Sequence, residues 1–438
     1  MNTHFNPISV LRGKFAPPAD KSISHRAALF SAMCDEPVTI CNYLDSEDTH
    51  STLDAVQALG AAVDQHHTGE LVIRGVGLRT PAEVTGGTLN VGNAGTLLRL
   101  LPGWLAGQTG GMWTLDGDES IRRRPVDRIV DPLRKMGADV KARDDRLPPL
   151  SIGGADLHAI DYELPVASAQ VKSCVLMAGM LATGRTSVTE PQLSRDHTER
   201  ILARARAPFR RDGLTVSISQ VDELELDRVN VPGDPSSAAF IAAAACIVPG
   251  ARVVIEGMAL NWTRTGFYRI AERMGAVILG ELETGPPGGD TTPDEEPIGD
   301  VDIAQAPLEG TTVTAGEVPL AIDELPLVAL LGCFADGDTI VEGAQELRVK
   351  ESDRITATVE GLSGLGAEIE ATADGFVVHG GGGIEGGAID AKGDHRMAML
   401  GAVAGLTSRS GVTVEGMEAA AVSYPGFEDD VRRLVGGG

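Results

Sequence analysis

The chain of 438 residues is poor in aromatic residues and in lysine. Aromatic residues make up only 4% of it, which argues against the stacking surfaces that bind single-stranded nucleic acid. Seven lysines stand against thirty arginines, and the excess of acidic residues gives a formal net charge of −25. Such a charge disfavours nucleic acid and anionic membranes as partners.

The chain also lacks the residue spacings that hold metals and nucleotides. Its five cysteines, at positions 34, 41, 174, 246 and 333, form no CxxC pair, and no HExxH occurs, so no metal is expected. No GKS/T sequence of a P-loop is present. There is no run of 18 apolar residues and no signal-peptide core near the N-terminus. The sequence predicts a soluble cytoplasmic protein with reduced cysteines.

The length and an internal repeat predict an α/β protein with two domains. A chain this long exceeds one ordinary core. The sequences ALGAAV, KMGADV, RMGAVI and GLGAEI each place a glycine (60, 137, 275 or 366) between a helix and a strand. We interpret RRDGLTV, with Gly213, as a fifth and degenerate copy, and a helix over 428–434 as the end of a sixth. Six such strand–helix units favour an α/β fold built by repetition.

Proline and glycine clusters mark the expected boundaries. VPGDP at 231–235 bisects the chain into halves of three repeats each, and Pro17-Pro18 would be the matching crossing if the N-terminal strand belongs to the second half. The segment 281–297, ELETGPPGGDTTPDEEP, is acidic and rich in proline and glycine. We therefore expect it to be an exposed loop.

Several predicted helices begin with small or hydroxyl residues followed by a cation. In ADKSISHRAALFSAM, Ser22 or Ser24 is expected to cap a helix. Lys21, Ser22 and Arg26 would then project near its N-terminus, where the helix dipole and unpaired amides favour an anion. GNAGTLLRLL repeats this arrangement, with Thr96 as the expected cap and Arg99 one turn later.

Further motifs repeat the pattern along the chain. RRRP, residues 122–125, concentrates positive charge, although three arginines are also typical of a solvated loop. VASAQVKSCVLMAG sets Ser168, Gln170 and Lys172 ahead of an apolar helix, and SRDHTE at 194–199 combines a hydroxyl, an arginine and a helix start.

The second half carries the candidate acids. LRVKESDRI, residues 347–355, has five charged residues among nine. If Glu351 lies in the first turn of the following helix, Lys350 and Arg354 flank it, which suits holding an anion and moving a proton beside it. The simpler interpretation is a solvated helix start. Asp323, in AIDELPLVALLG, is either an N-cap or a functional carboxylate.

GDHRMAML, residues 393–400, places His395 and Arg396 at one more helix start. At least five helix N-termini, distributed over both halves, thus combine small or hydroxyl residues with lysine or arginine. This distribution predicts a cleft between two repeat-built domains that binds two polyanionic small molecules.

KSISHR, GNAGT, RRRP, SAQVKS, SRDHTE, GDPSSAA, IDELP, LRVKESDR and GDHRMAM resemble, in order and spacing, the 5-enolpyruvylshikimate-3-phosphate (EPSP) synthase family. The resemblance implies a two-domain inside-out α/β barrel, each domain made of three βαβαββ repeats, with the active site in the interdomain cleft. Residues 19–231 would form the upper domain, and residues 1–18 with 232–438 the lower one. A monomer that needs no metal or cofactor is expected.

The resemblance also implies the reaction and the role of each residue. The enolpyruvyl group of phosphoenolpyruvate would pass to the 5-hydroxyl of shikimate 3-phosphate. The residues expected to contact shikimate 3-phosphate are Lys21, Ser22, Arg26, Ser168, Ala169, Gln170, Arg195, Asp323 and Lys350. Those expected to contact phosphoenolpyruvate are Lys21, Gly95, Arg124, Gln170, Arg354 and Arg396. Lys21, Asp323 and Glu351 would be catalytic, the two carboxylates as proton-transfer groups.

Three positions depart from other members of the family. Ser423 stands near a position where some members carry a lysine that helps to hold phosphoenolpyruvate, and Leu100 stands where many have proline. Ala169 replaces a second serine, as in a divergent bacterial subgroup. The family is the target of the herbicide glyphosate, and we expect Gly95 to leave room for this inhibitor and Leu100 to weaken its binding.

Two alternatives to this function would have different sequence features. The related UDP-N-acetylglucosamine enolpyruvyl transferase carries a lysine–asparagine pair where this chain has Lys21-Ser22. It also carries a reactive cysteine in a loop that corresponds to residues 118–125, where this chain has none. A catalytically inactive anion-binding homologue would be expected to lose Lys21, Asp323 or Glu351, and all three are present.

Overall fold

The computed structural model describes residues 1–65, 70–79, 87–285 and 292–436. The chain forms two compact units. The N-unit consists of Ala19–Val231 and Pro286–Glu296, and the C-unit consists of Met1–Pro18, Pro232–Gly285 and Pro297–Gly438. Residues 292–296 therefore belong to the N-unit, although they lie between two stretches of the C-unit in sequence.

The helices are numbered α1 to α13 in chain order. They are α1 (Lys21–Ala32), α2 (Glu47–Ala58), α3 (Gly95–Leu105), α4 (Asp127–Lys135), α5 (Ala169–Gly179), α6 (His197–Arg204), α7 (Pro235–Ile247), α8 (Gly266–Arg273), α9 (Val318–Ala321), α10 (Leu325–Phe334), α11 (Arg354–Gly364), α12 (His395–Thr407) and α13 (Phe427–Val435). Short 3-10 turns cover Ile121–Arg123, Gln345–Val349 and Met417–Val422.

The strands are short. They are β1 (Asn2–Phe5), β2 (Arg12–Phe15), β3 (Val38–Cys41), β4 (Ala62–Gln65), β5 (Glu70–Arg74), β6 (Leu89–Asn90), β7 (Met112–Asp116), β8 (Asp139–Arg143), β9 (Leu147–Gly153), β10 (Asp161–Glu163), β11 (Arg185–Thr189), β12 (Phe209–Asp212), β13 (Thr215–Ser219), β14 (Arg228–Asn230), β15 (Arg252–Ala259), β16 (Val277–Leu279), β17 (Ile298–Ala304), β18 (Thr312–Val313), β19 (Asp338–Val341), β20 (Glu368–Ala371), β21 (Phe376–His379), β22 (Gly387–Asp390) and β23 (Val412–Glu415).

One strand order recurs in both units. In the N-unit the sheets run β14-β3-β5-β4, β6-β7-β9-β8 and β10-β11-β13-β12, and in the C-unit two sheets run β2-β15-β17-β16 and β18-β19-β21-β20. In each of these the first pair is parallel and the next two pairs are antiparallel. The remaining C-unit sheet, β22-β23-β1, keeps the parallel and the first antiparallel pair.

The most buried helices form the centre of each unit, as the inside-out arrangement predicts. All thirteen residues of α7 are buried, and α7, α10 and α12 pack against one another in the C-unit. A helix with apolar residues on every side has to lie in a core. In the N-unit, α1, α3 and α5 are also buried beyond their first turns, apart from the half-buried Arg99 on α3. The polar residues that remain partly exposed on these helices are concentrated at their N-terminal ends.

The predicted helix ends are confirmed at four glycines and wrong at a fifth. Gly60, Gly137, Gly275 and Gly366 follow α2, α4, α8 and α11 with φ between 95° and 109°, a conformation that costs glycine little. Gly213 instead forms the turn between β12 and β13. The corresponding helix, α6, ends at Arg204, and Arg206 takes the left-handed conformation there, with φ of 54°.

Candidate active site

The start of α1 carries Lys21 and Ser22 as its first two residues. The cap is Asp20, whose carboxylate accepts from the Ile23 amide at 2.9 Å, so the prediction of a serine cap was wrong. Aspartate caps at least as well as serine, and its charge also suits the helix dipole. The Lys21 Nζ lies 2.9 Å from an Asp48 carboxylate oxygen on α2, which fixes the ammonium at the helix end.

Arg26 lies one turn further along α1 and is buried. Its Nε donates to Thr198 Oγ1 at 2.8 Å, and its two terminal nitrogens donate to the Ser22 carbonyl and to Ser173 Oγ, each at 3.0 Å. Burial lowers the pKa of Arg26 to about 10, against the raising effect of Glu199. The guanidinium therefore stays charged at neutral pH, and its hydrogen bonds join α1 to α5 and α6.

The start of α3 is linked to the start of α5 through Gln170. Ala94 precedes the helix and makes no side-chain cap, so the expected Thr96 cap is not found. Thr96 lies inside the first turn, where its hydroxyl accepts from Gln170 Nε2 at 3.0 Å. Arg99 Nη1 donates to Gln170 Oε1 at 3.0 Å. Both ends of the Gln170 amide are thereby held.

Gly95 is the first residue of α3, and it faces Arg124. A Cβ at position 95 would lie 2.6 Å from Arg124 Nη1, closer than any ordinary contact. Arg124 is buried and donates from Nη2 to Asn93 Oδ1 at 3.1 Å. The two preceding arginines, Arg122 and Arg123, are exposed and pair with surface carboxylates. Of the three consecutive arginines, Arg124 is therefore the one that lies against Gly95.

The starts of α5 and α6 carry the remaining N-unit candidates. Ser168, which was expected ahead of the helix, is the residue that caps α5, since its hydroxyl accepts from the Val171 amide at 3.4 Å. Ala169 is the first residue of α5, and Arg195 precedes α6 by two residues. The charge of Arg195 is among those that lower the pKa of Arg26, which shows that the two cations lie in one neighbourhood.

A buried charge cluster lies beneath these helix starts. Lys172, on α5, is fully buried, with Nζ 2.8 Å from Glu190 and 2.7 Å from Glu199 on α6. Burial would lower the pKa of Lys172, but the charges of Glu199 and Glu190 outweigh it and raise the pKa. Lys172 was expected ahead of the helix. The structure places it inside α5, where it pairs with Glu190 and Glu199.

The described part of the acidic segment at 281–297 is a loop that is exposed only in part, at residues such as Asp294 and Glu295. Residues 286–291 lie outside the described residues, but Glu296 is largely buried, and its carboxylate lies 2.6 Å from His197 Nδ1. The carbonyl of Glu295 accepts from Arg200 Nη1 at 2.9 Å. Because His197 and Arg200 are buried on α6, Glu295 and Glu296 attach the end of this segment to the N-unit.

The C-unit candidates form a second cluster around Arg354. Its side chain is 1% exposed, and its guanidinium contacts Glu351 at 2.6 Å, Asp323 at 3.3 Å and Asp394 at 2.8 Å. Burial would lower the pKa of Arg354, but the charges of Asp394, Glu351 and Asp323 raise it. Lys350 Nζ also reaches Asp323, at 3.2 Å. Two candidate acids therefore share one buried cation.

The structure decides two points about this cluster that the sequence left open. Glu351 lies before α11, between the 3-10 turn that ends at Val349 and the helix that begins at Arg354. The cap of α11 is Asp353, which accepts from the Thr356 amide at 3.1 Å. Asp323 caps no helix, because Glu324 is the residue that directly precedes α10. Both candidate acids therefore stand on short segments between helices.

Arg396 lies in the first turn of α12, as predicted. Asp394 caps this helix by accepting from the Arg396 amide at 2.9 Å. The Arg396 guanidinium donates from Nη1 to the Asp323 carbonyl at 2.9 Å and to Glu324 Oε1 at 3.2 Å. Burial would raise the pKa of Asp394, but the charge of Arg354 outweighs it and holds the pKa below its ordinary value.

The structure thus gathers the predicted residues into two groups. The N-unit group is Lys21, Ser22, Arg26, Gly95, Arg124, Ser168, Ala169, Gln170 and Arg195. The C-unit group is Asp323, Lys350, Glu351, Arg354 and Arg396. Sequence reasoning missed the carboxylates that hold these cations, Asp48, Glu324 and Asp394. Asp394 stands inside the motif GDHRMAM, so its place before a helix start was the available signal.

Within the described residues, no cluster of three or more histidine, cysteine or acidic side chains could hold a metal ion. Among the described helices, none has both the length and the apolar character needed to cross a membrane.

The repeated sheets and the cations at helix starts define a protein that handles small, multiply charged anions. The sequence model of the EPSP synthase (3-phosphoshikimate 1-carboxyvinyltransferase) family matches residues 5–431. The chain belongs to this family, as its motifs predicted.

Individual relatives agree with this assignment. A 3-phosphoshikimate 1-carboxyvinyltransferase of Desulforamulus reducens is 41% identical over 444 residues, covering 99% of this chain and 100% of the relative. One from Roseiflexus castenholzii is 44% identical and covers 97% of each chain. A solved structure of EPSP synthase from Acinetobacter baumannii matches with a TM-score of 0.84 and 38% identity, over 99% of this chain and 98% of that one.

Proposed function

We propose that the N-unit and C-unit groups bind shikimate 3-phosphate and phosphoenolpyruvate and catalyse the carboxyvinyl transfer that gives the family its name. The enolpyruvyl group passes to the 5-hydroxyl of shikimate 3-phosphate, and inorganic phosphate leaves. The product serves the shikimate pathway to chorismate and the aromatic amino acids.

The observation that carries this proposal is the shared use of Arg354 by two carboxylates. Asp323 lies 3.3 Å from its Nη1 and Glu351 lies 2.6 Å from its Nη2. The reaction needs two proton transfers at neighbouring atoms and a cation near the charge that they create. Two acids fixed on one buried guanidinium meet both needs.

The chemistry proceeds by addition and then elimination. The 5-hydroxyl oxygen attacks C2 of phosphoenolpyruvate, while Asp323 takes the hydroxyl proton and Glu351 delivers a proton to the methylene carbon. In the resulting adduct, C2 carries a methyl group, a carboxylate, a phosphate and the new ether oxygen. Removal of a methyl proton then restores the double bond, and the phosphate leaves with its electron pair. Lys21, whose Nζ is fixed by Asp48, stabilises the charge that develops.

Binding follows from the distribution of cations. In the N-unit, Arg26 and Arg195 hold the phosphate of shikimate 3-phosphate together with the residues at the start of α5, which are Ser168, Ala169 and Gln170. Lys350 and Asp323 hold its hydroxyl groups. Phosphoenolpyruvate is held by Arg124 beside Gly95, by Gln170, and by Arg354 and Arg396. Together with Lys21, these assignments use seven cations in a chain whose net charge is −25, so the positive charge is concentrated where the anions bind.

We expect the protein to act as a cytoplasmic monomer with no cofactor. All five cysteines are unpaired thiols, which suits a reducing compartment. Light scattering on the purified protein tests the monomer, and a dimer at micromolar concentration would contradict it.

The function is tested by phosphate release from phosphoenolpyruvate with purified, chelator-treated protein. One reaction contains shikimate 3-phosphate and the other contains UDP-N-acetylglucosamine. We expect release in the first alone. Release in the second alone would assign the other acceptor, and release in neither would favour an inactive homologue.

A further inference from the structure

Glu324 is a buried carboxylate next to the candidate acid Asp323, and it has no role in the proton transfers proposed for the reaction. Its side chain is 3% exposed. One oxygen, Oε1, accepts from Arg396 Nη1 at 3.2 Å and also from the Ser236 hydroxyl at the start of α7. A buried carboxylate is costly unless it is paired and hydrogen-bonded, and these two donors, from α7 and α12, contribute to that pairing.

Arg396 is held at one end of its guanidinium. Nη1 donates to the Asp323 carbonyl and to Glu324 Oε1. Within the described residues, neither Nε nor Nη2 of Arg396 makes a hydrogen bond with the protein, and the side chain is 11% exposed. A guanidinium anchored by one nitrogen leaves its other donors aligned for bidentate binding of a carboxylate or phosphate.

The anchor depends on Glu324 more than on the carbonyl. The Asp323 carbonyl is neutral and accepts from the same nitrogen, so it cannot by itself stop rotation of the side chain about that bond. The carboxylate adds a second direction and a negative charge, and away from water the guanidinium is attracted to that charge more strongly than to a neutral carbonyl. Ser236 in turn fixes the carboxylate oxygen. The three residues thus set the plane of the guanidinium.

We propose that Glu324 is a positioning residue for phosphoenolpyruvate: it fixes Arg396 so that the remaining guanidinium donors meet the anionic substrate. This inference rests on the proposed function, in which Arg396 binds phosphoenolpyruvate. Glu324 is 3% exposed, so its proposed effect on the substrate passes through Arg396.

Steady-state kinetics of Glu324→Ala and Glu324→Gln test the proposal. For Glu324→Ala we expect the KM for phosphoenolpyruvate to rise by about 10- to 100-fold, because a charge-assisted contact is lost. The KM for shikimate 3-phosphate and kcat should change by less than about 3-fold. Glu324→Gln keeps an acceptor oxygen but not the charge, so it should recover part of the loss. Glu385→Ala, which removes an exposed carboxylate paired with Arg409, is the matched control and should leave both KM values unchanged.

A double-mutant cycle separates positioning from a merely structural role. In an Arg396→Ala background there is no guanidinium to fix, so Glu324→Ala should not raise the KM for phosphoenolpyruvate further. A further rise, or equal rises in both KM values, would overturn the proposal.

The cycle also separates the two claims. If Arg396→Ala leaves the KM for phosphoenolpyruvate unchanged, the proposed function of Arg396 fails. If Arg396→Ala raises it and Glu324→Ala does not, the proposed function stands and the positioning role of Glu324 is refuted.

Discussion

The substitution Gly95→Ala adds one methyl group, which should displace the guanidinium of Arg124. The new Cβ would lie 2.6 Å from Arg124 Nη1, whereas ordinary contacts begin at about 3.5 Å. The Arg124 guanidinium must therefore move by roughly 1 Å. It moves rather than the helix, because it is the end of a long flexible side chain and residue 95 is held in the backbone of α3. The Nη2 contact with Asn93, at 3.1 Å, is the first that this movement disturbs.

The expected magnitude follows from this displacement. A misplacement of about 1 Å at a substrate-positioning group can cost up to about 100-fold, and a lost hydrogen bond to a charged group costs about 1.5–3 kcal/mol. We therefore expect the KM for phosphoenolpyruvate to rise by about 10- to 100-fold. Alanine favours a helix over glycine by about 0.5–1 kcal/mol, which offsets part of the cost of the weakened Arg124 contact, so the free energy of unfolding should fall by no more than about 2.5 kcal/mol.

The assay is initial-rate kinetics with each substrate varied in turn, together with thermal unfolding. The KM for shikimate 3-phosphate should stay within about 3-fold. Gly364→Ala is the matched control, because Gly364 is also helical and a Cβ there meets no atom within 4 Å. Glyphosate inhibition should weaken in Gly95→Ala alone. An unchanged KM for phosphoenolpyruvate in Gly95→Ala would contradict this steric argument, and so would an equal rise in Gly364→Ala.

Three further predictions concern the candidate acid Glu351, the buried carboxylate Glu296 and the dependence of stability on pH. Glu351→Gln should lower kcat by about 100- to 10,000-fold with KM values nearly unchanged, and wild-type turnover would remove Glu351 from the mechanism. Glu296→Ala should lower the free energy of unfolding by about 1–3 kcal/mol because His197 loses its buried partner; urea denaturation measures this, and an unchanged midpoint would contradict it. Burial lowers the pKa of His25 to about 3, so the folded state binds fewer protons than the unfolded state below pH 6.5, and stability should fall as pH drops from 6.5 towards 3. The variant His25→Gln keeps a hydrogen bond to Thr52 but does not titrate. Of the stability that the wild type loses between pH 6.5 and pH 5, the variant should retain about 2 kcal/mol. If the urea midpoint shifts equally with pH in the wild type and the variant, His25 is not the titrating group.

Helix ends were predictable where glycine was required by backbone geometry. Gly60, Gly137, Gly275 and Gly366 all adopt positive φ after a helix, and this conformation is costly for residues with a Cβ. Gly213 was wrongly predicted to end a helix, because a tight turn between two strands also requires a positive φ. Arg206, at the true helix end, carries no such signal.

Helix starts were less predictable, because several residues in a row can cap. Aspartate caps α1, α7, α11 and α12, in each case directly before the first helical residue. The serine and threonine expected to cap α1 and α3 instead bond to neighbouring elements, as Ser24 does to the Leu44 amide. Local propensity ranks serine, threonine and aspartate together, so tertiary contacts decide among them.

The cations of the candidate site were predictable as residues at helix starts, and the carboxylates that hold them were not. Lysine and arginine at helix starts stand out in any acidic sequence. The contact of Arg354 with Asp394 joins residues 40 positions apart, and that of His197 with Glu296 joins residues 99 positions apart. Sequence spacing contains no information on such contacts, because they depend on how separate helices pack.

Deuterium incorporation during the reaction shows whether the transfer runs by addition and elimination. If the methylene carbon of phosphoenolpyruvate is protonated in the adduct and then deprotonated, the adduct methyl group gains one solvent hydron before elimination. We expect the vinyl group of the product made in D2O to contain deuterium, as measured by NMR, and Glu351→Gln to make little product of either kind. A product formed at the wild-type rate with an undeuterated vinyl group would contradict the proposed addition and elimination.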